Sequence, residues 1–274
     1  MAVLIDEAPA TMFVTTPIRE GWIDNAASVE VRPGLSAADV TENDVALIPA
    51  PAATLLTQTH VIDRSVAVVF DGVGLLAMRT PVRPDEIDSE RVYLIGVGAS
   101  GEVLARALLK PFFGIDVSGF ERVSQVPDDA RIVVVEGPDA LVEPASGFSE
   151  DLARSWFIMT GKAYVSHVAV IGVRALARGA DDELATLRAA IDIGRERRRD
   201  VRRLVREASG VDTDRLADVT GRMRFALEPE DQEPLRMLIE RGTWGTGFGR
   251  NLPAFRDQLG LGNELNDARD SDDA

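Results

Sequence analysis

The sequence has no cysteine and only two histidines, His60 and His167, in 274 residues. Without cysteine, disulfides, thiolate catalysis and thiolate-bound metal are excluded. Two histidines leave little material for a metal site built from several imidazoles. We therefore predict a protein without a metal ion.

Positive charge and long apolar runs are also scarce. The chain has 30 Lys and Arg against 45 Asp and Glu, a formal net charge of −15. This excess of acid argues against nucleic acid or an anionic membrane as partner, since both require a basic surface. No apolar run reaches the roughly 18 residues of a transmembrane helix, and the start, MAVLIDEAPATMFV, lacks the basic segment of a signal peptide. We expect a cytoplasmic protein.

Short apolar strands, one of them predicted at 11–14, alternate with helical patterns, the longest of them at 181–209, which predicts an α/β protein with mixed sheets. Two extended segments, GLLAMRTPVRP and AYVSHVAVIGVR, flank a middle block. A chain that leaves one lobe, builds a second and returns gives two lobes joined by two crossing strands, with a cleft between them. The predicted lobes are 1–78 with 168–260, and 79–167. The acidic tail 261–274 is predicted to be disordered.

The glycine turn in VYLIGVGASGEVLARALL matches G-x-G-x-x-G between a strand and a helix. A dinucleotide fold would need a second buried strand ending in an acid about 20 residues later. Glu121 lies near that distance, but glycine and polar residues interrupt its surroundings. A cofactor is therefore not predicted. Two interpretations of Ser100 remain: it adds a donor to an anion-binding helix start, or it N-caps the helix.

The order of several segments resembles the chorismate dehydratase family of the futalosine route to menaquinone. The segments are DVALIPAPAATLL, the glycine turn with ARALLKPFFGI, VVVEGPDALVE, EDLARSWFIMTGKAYVSHVAV and MRFALEPEDQEPLRMLIERG, spread over most of 11–242. The most specific element combines Asp151, Leu152, Trp156, Thr160, Gly161 and Tyr164. The resemblance implies a two-lobed fold like that of type II periplasmic binding proteins. It also implies loss of water from chorismate, which gives 3-[(1-carboxyvinyl)oxy]benzoate.

The same resemblance suggests where a substrate would bind. Ser100 matches a hydroxyl residue in a turn that is expected to hold a substrate carboxylate. Thr15 and Thr16 lie where the family has an Asn-containing loop before a proline, and Gly74 lies where it has a serine. The candidate catalytic residues are Thr15, Thr16 and His167. The candidate substrate-binding residues are Asp71, Gly74, Gly98, Ala99, Ser100, Gly101 and Tyr164.

Two functions follow from these observations. The first is a chorismate-dehydratase-like lyase that binds a small cyclic carboxylate between its lobes. The second is a non-catalytic or differently specific small-carboxylate-binding relative with the same fold. The expected partner is a small-molecule carboxylate in both cases. The sequence does not decide whether the chain forms a homodimer.

Overall fold

A computed structural model describes residues 2–23 and 28–259. The described part contains eleven strands: β1 (Val3–Asp6), β2 (Val29–Arg32), β3 (Val45–Pro49), β4 (His60–Phe70), β5 (Leu76–Thr80), β6 (Ser89–Ile95), β7 (Asp116–Arg122), β8 (Ile132–Glu136), β9 (Phe148–Asp151), β10 (Tyr164–Gly172) and β11 (Met223–Arg224). The same ranges contain nine α-helices: α1 (Met12–Arg19), α2 (Ala50–Ala53), α3 (Ala99–Leu109), α4 (Leu152–Thr160), α5 (Val173–Leu176), α6 (Asp181–Glu196), α7 (Arg198–Ser209), α8 (Thr213–Gly221) and α9 (Gln232–Gly242). The predicted acidic tail, 261–274, lies outside the described residues.

The strands form two mixed sheets, one in each lobe. The first sheet has the order β11-β4-β10-β3-β1-β2, and the second has the order β7-β6-β8-β5-β9. In the first, β1 is parallel to β2 and β3, while β10 is antiparallel to β3 and β4. In the second, β6 is parallel to β7 and β8. Strands β3 and β10 are buried along their whole length, as expected for apolar strands inside a covered sheet. The predicted two-lobed α/β architecture is confirmed.

The chain crosses between the sheets twice, at 71–75 and at 161–163. Each crossing contains a glycine with left-handed backbone, Gly72 at φ +73° and Gly161 at φ +67°. Side chains other than glycine rarely adopt this conformation, so these positions need glycine. The predicted lobe boundaries, after Met78 and after His167, fall inside β5 and β10. The apolar pattern of each strand continues to its end and does not mark the crossing itself.

Two secondary-structure predictions were wrong. The predicted strand at 11–14 is the start of helix α1, because a short apolar run alone does not distinguish a strand from a buried helix. The predicted continuous helix 181–209 breaks at Arg197, which has φ −94° and ψ 28° and separates α6 from α7. Within the described ranges, no helix is both long and apolar enough to span a bilayer.

The lobes also touch through helices beside the crossings. Helix α3 of the second lobe packs against α9 of the first. At their closest approach, a Cβ atom on Gly242 would lie 2.2 Å from the backbone oxygen of Val103. The largest cluster of buried side chains continues through both lobes, from Ile5 and Phe70 to Leu94 and Val134. The two lobes are therefore closed against each other along one side of the cleft.

Candidate functional site

A cleft of about 410 Å³ lies between the lobes. Asp6 and Pro49, the last residues of β1 and β3, line it from the first lobe. Glu136, the last residue of β8, and Gly98, just before α3, line it from the second. The carboxyl ends of parallel strands meet at one sheet edge, where α/β proteins commonly bind ligands. Much of the remaining wall is apolar, with contributions from Pro9, Ala37, Ala52, Leu35, Leu55, Val97 and Phe248.

Glu136 places a carboxyl group at the start of helix α3. The backbone N–H of Gly98 donates a hydrogen bond to Glu136 Oε2 at 2.7 Å. A Cβ atom on Gly101 would lie 2.8 Å from the same oxygen, so glycine at 101 leaves room for the carboxyl group. Among the described residues, the other oxygen, Oε1, has no hydrogen-bond partner. The position predicted to receive a substrate carboxylate thus already holds one from the protein.

The environment of Glu136 favours its protonated form. Burial raises the pKa of Glu136 to about 7, and the negative charge of Asp6 adds to the rise. The Gly98 N–H and the positive charge of Arg122 act in the opposite direction. A carboxyl group with this pKa exists in both protonation states at neutral pH, as proton-transfer groups in enzymes do.

Asp6 is held in place by a buried polar chain. Its Oδ1 accepts from the backbone N–H of Leu35 at 2.8 Å, and its Oδ2 lies 3.1 Å from His167 Nε2. His167 Nδ1 in turn lies 2.9 Å from the hydroxyl of Ser166. The His167 ring thus bridges the Asp6 carboxylate and the Ser166 hydroxyl. His167 is only 2% exposed and does not line the cleft, so it orients Asp6 from behind.

Ser100 connects the two lobes. Its hydroxyl donates to the backbone oxygen of Ser166 at 2.5 Å, and the residue is 2% exposed. Helix α3 begins after Gly98 without a side-chain cap. The Ser100 hydroxyl therefore joins the two lobes and does not cap the start of helix α3.

Tyr164 belongs to the same buried junction. Its ring stacks on Phe70 with 6.0 Å between centroids. Burial raises the pKa of Tyr164 well above its ordinary value, the charge of Glu136 adds to this, and hydrogen bonds with Ser166 and Ser100 oppose it. Tyr164 is thus a neutral phenol packed beneath the cleft.

The remaining candidates lie outside the cleft or at its margin. Thr15 and Thr16 are on helix α1 and do not line the cleft, and the Thr15 hydroxyl donates to Thr11 O at 3.2 Å. Asp71 is exposed at the first crossing. The N–H of Gly74 donates to Asp151 Oδ2 at 2.9 Å, in a separate groove. Only Gly98 and Ala99 of the predicted residues line the cleft.

Thr15, Thr16 and the following proline belong to helix α1 and do not form a loop after a strand. The strand that ends at the cleft is β1, and it continues directly into Glu7, Ala8 and Pro9. Asp6 is the last residue of β1, three positions before Pro9, and it lines the cleft. An acid at the end of a buried strand, three positions before a proline, is the signal that could have identified it.

Arg122 is the one basic residue among those that line the cleft within the described ranges. Its Nη2 donates to Glu102 Oε2 at 2.6 Å, and its Nη1 donates to the backbone oxygen of Val97. Both terminal nitrogens therefore have acceptors in the protein. Within 2–23 and 28–259, no three potential metal ligands form a cluster.

The Ser100→Ala substitution is expected to lower the free energy of unfolding by about 1 to 2 kcal/mol, because the Ser166 carbonyl loses a buried donor. Urea unfolding measures this change. Ser89→Ala is the matched control, since Ser89 is exposed and its hydroxyl makes no hydrogen bond in the described part of the chain. Unchanged stability together with weakened binding of carboxylates would favour the original ligand-binding interpretation.

Solved structures share this arrangement of two lobes. Protein AF1704 from Archaeoglobus fulgidus matches with a TM-score of 0.60 and 15% identity, over 87% of this chain and 95% of its own. The periplasmic aliphatic sulphonate binding protein SsuA from Escherichia coli matches with a TM-score of 0.53 and 12% identity, over 86% and 89% of the two chains. The fold is that of the periplasmic binding proteins.

The periplasmic-binding-protein fold also occurs in an enzyme among these matches. The desulfurization enzyme DszB matches with a TM-score of 0.54 and 14% identity, over 98% of this chain and 99% of its own. No protein-family model and no curated protein matches the sequence. The comparisons confirm the predicted fold, and function has to be argued from the site.

Proposed function

We propose that this chain binds a small single-ring molecule in the cleft between its lobes, with Glu136 as the residue that meets it. The observation that carries the proposal is the unpaired Oε1 of Glu136 in a largely apolar cleft of about 410 Å³. Clefts of this size hold small ligands, and a few polar groups in an apolar wall orient them. A carboxyl oxygen in such surroundings favours a hydrogen-bond donor on the ligand.

The position of Glu136 favours a differently specific relative of the chorismate dehydratases. In the expected dehydratase site, the start of helix α3 binds a carboxylate of the substrate. Here the Glu136 carboxyl occupies that point, and Asp6 lies across the cleft from it. A ligand carboxylate at this point would meet like charge in a poorly solvated place, which weakens binding.

A second candidate, the dehydration of chorismate itself, is favoured by the near-neutral pKa of Glu136, about 7. In its acid form, Glu136 would protonate the departing ring hydroxyl as the C–O bond breaks. The resulting carboxylate would take the proton from the adjacent ring carbon, whose C–H electrons complete the aromatic ring. Water leaves, and Glu136 returns to its acid form.

Blocking the cleft tests the binding proposal. At least one member of a panel of single-ring amines, alcohols and carboxylates is expected to raise the melting temperature. The rise should disappear in Leu55→Trp, because Leu55 is 53% exposed at the cleft wall and a larger side chain there would fill the cleft. Val126→Trp, at an exposed position outside the cleft, should keep it. A stabilisation that survives Leu55→Trp would place the ligand elsewhere.

Incubation with chorismate separates the two candidates. If the protein has a different specificity, chorismate is lost only at its uncatalysed rate. We expect mass spectrometry to show this result. Formation of 3-[(1-carboxyvinyl)oxy]benzoate by the wild type, reduced about 100-fold or more in Glu136→Gln, would instead establish the dehydratase.

A further inference from the structure

We infer that the cleft selects a ring that carries an ammonium group over the same ring with a carboxylate, and that Glu136 determines this choice. The inference rests on the proposed function, because it assumes that the cleft binds a single-ring molecule. It adds the chemical class of the ligand, which neither the fold nor the sequence resemblance provides.

The residues that line the cleft are mainly acidic among those with charge. Among the described residues the cleft is lined by three acids, Asp6, Glu7 and Glu136, and by one base, Arg122. Glu7 forms an ion pair with Arg19 outside the cleft. Arg122 is bound to Glu102 and to the Val97 carbonyl, so its charge is shared with groups of the protein. The acids outnumber the base, so above the pKa of Glu136 the lining of the cleft carries a net negative charge.

The start of helix α3 already binds a carboxyl group of the protein. The first N–H groups of a helix carry partial positive charge and are a common anion site. At α3 this charge faces the carboxyl group of Glu136, which the Gly98 N–H binds directly. A carboxylate that binds the Gly98 N–H would therefore have to displace Glu136 and leave that group without its partner.

The acids of the cleft come from both lobes. Asp6 ends a strand of the first sheet, and Glu136 ends a strand of the second. The two carboxylates carry like charge, and the charge of Asp6 adds to the rise in the pKa of Glu136. An ammonium group has three donors and a positive charge, so it can satisfy Oε1 of Glu136 and reduce this repulsion. Leu35, Val97 and Phe248 supply apolar contacts for the ring.

Three probes with the same ring test the inference: benzylamine, benzyl alcohol and benzoate. NMR titrations of the full-length protein slightly above neutral pH give the three dissociation constants. We expect benzylamine to bind wild type about 10-fold or more tightly than benzoate, with benzyl alcohol between them. In Glu136→Gln, which keeps an acceptor for the Gly98 N–H, the preference for the amine should fall to about 3-fold or less. In Glu136→Ala, benzoate should gain affinity because the α3 start is vacated.

The control is Glu121→Gln, which makes the same change of charge on an exposed residue paired with Arg91. This variant should leave the order of the three dissociation constants unchanged. Benzoate binding to wild type as tightly as benzylamine overturns the inference and leaves the cleft proposal intact. Equal binding of the alcohol and the amine also overturns it, since charge would then play no part. Binding of none of the three overturns the proposed function itself.

Discussion

Gly242→Ala is expected to push the two lobes apart and to lower the free energy of unfolding by about 1 to 3 kcal/mol, the usual cost of overpacking. The added Cβ would lie 2.2 Å from Val103 O and 2.6 Å from Val103 Cγ1. The first of these atoms is helix backbone, so it cannot move aside as a flexible side chain would. Helix α9 and helix α3 must separate, and because they belong to different lobes, separation opens the protein.

Urea unfolding and small-angle X-ray scattering measure the two parts of this result. The radius of gyration should increase in Gly242→Ala. Gly221→Ala is the matched control: Gly221 is the last residue of α8, just as Gly242 is the last of α9, and a Cβ there would meet nothing within 4 Å. The control should be neutral or slightly stabilising. A Gly242→Ala protein with unchanged dimensions and stability would contradict the close contact between α3 and α9.

Glu136→Gln is expected to raise the melting temperature at pH 8 by about 5 °C and to change it little at pH 5. The pKa of Glu136 is about 7 in the folded protein against an ordinary value of 4.5. The folded state therefore binds this proton more tightly than the unfolded state. Wild type loses stability as pH rises from about 4.5 to 7, by roughly 2 to 3 kcal/mol, and does not regain it above pH 7. Glutamine carries no charge at any pH, so the Glu136→Gln variant does not undergo this loss of stability.

Differential scanning calorimetry between pH 5 and pH 8 measures this effect. The charged and titratable groups around Glu136 are Asp6 from β1, Arg122 from β7 and Tyr164 from β10, and the substitution leaves them in place. Glu121→Gln removes one exposed negative charge and should shift the melting temperature equally at both pH values. An equal shift at pH 5 and pH 8 in Glu136→Gln would show that Glu136 has an ordinary pKa.

The fold was predictable because its signals are local. The alternation of apolar strands with helical patterns, and a middle block between two extended segments, indicated two lobes and two crossings. The glycine turn at Gly98 indicated a strand followed by a helix, which the structure contains as β6 and α3. The strand predicted at 11–14 failed for the opposite reason, since four apolar or β-branched residues fit either kind of element.

The chemistry of the site depends on pairs that are distant in sequence. Glu136 meets Gly98 across 38 positions, and His167 meets Asp6 across 161. Nothing local distinguishes Glu136 from any acid after a buried strand. His167 was correctly placed in an extended segment, β10, which follows the second crossing. Its direction, towards Asp6 and away from the cleft, depends on the register of β10 against β3. Such residues can be identified only once the sheets are assembled.

Glu136 also acts as a built-in competitor for the helix start that it occupies. A tethered group has an effective concentration that commonly reaches the millimolar range or more, without any change in its intrinsic affinity. A free anion would have to exceed that value before it replaced the Glu136 carboxylate at the Gly98 N–H. Anions below that concentration would leave Glu136 at the Gly98 N–H and the cleft accessible to ligands of other charge.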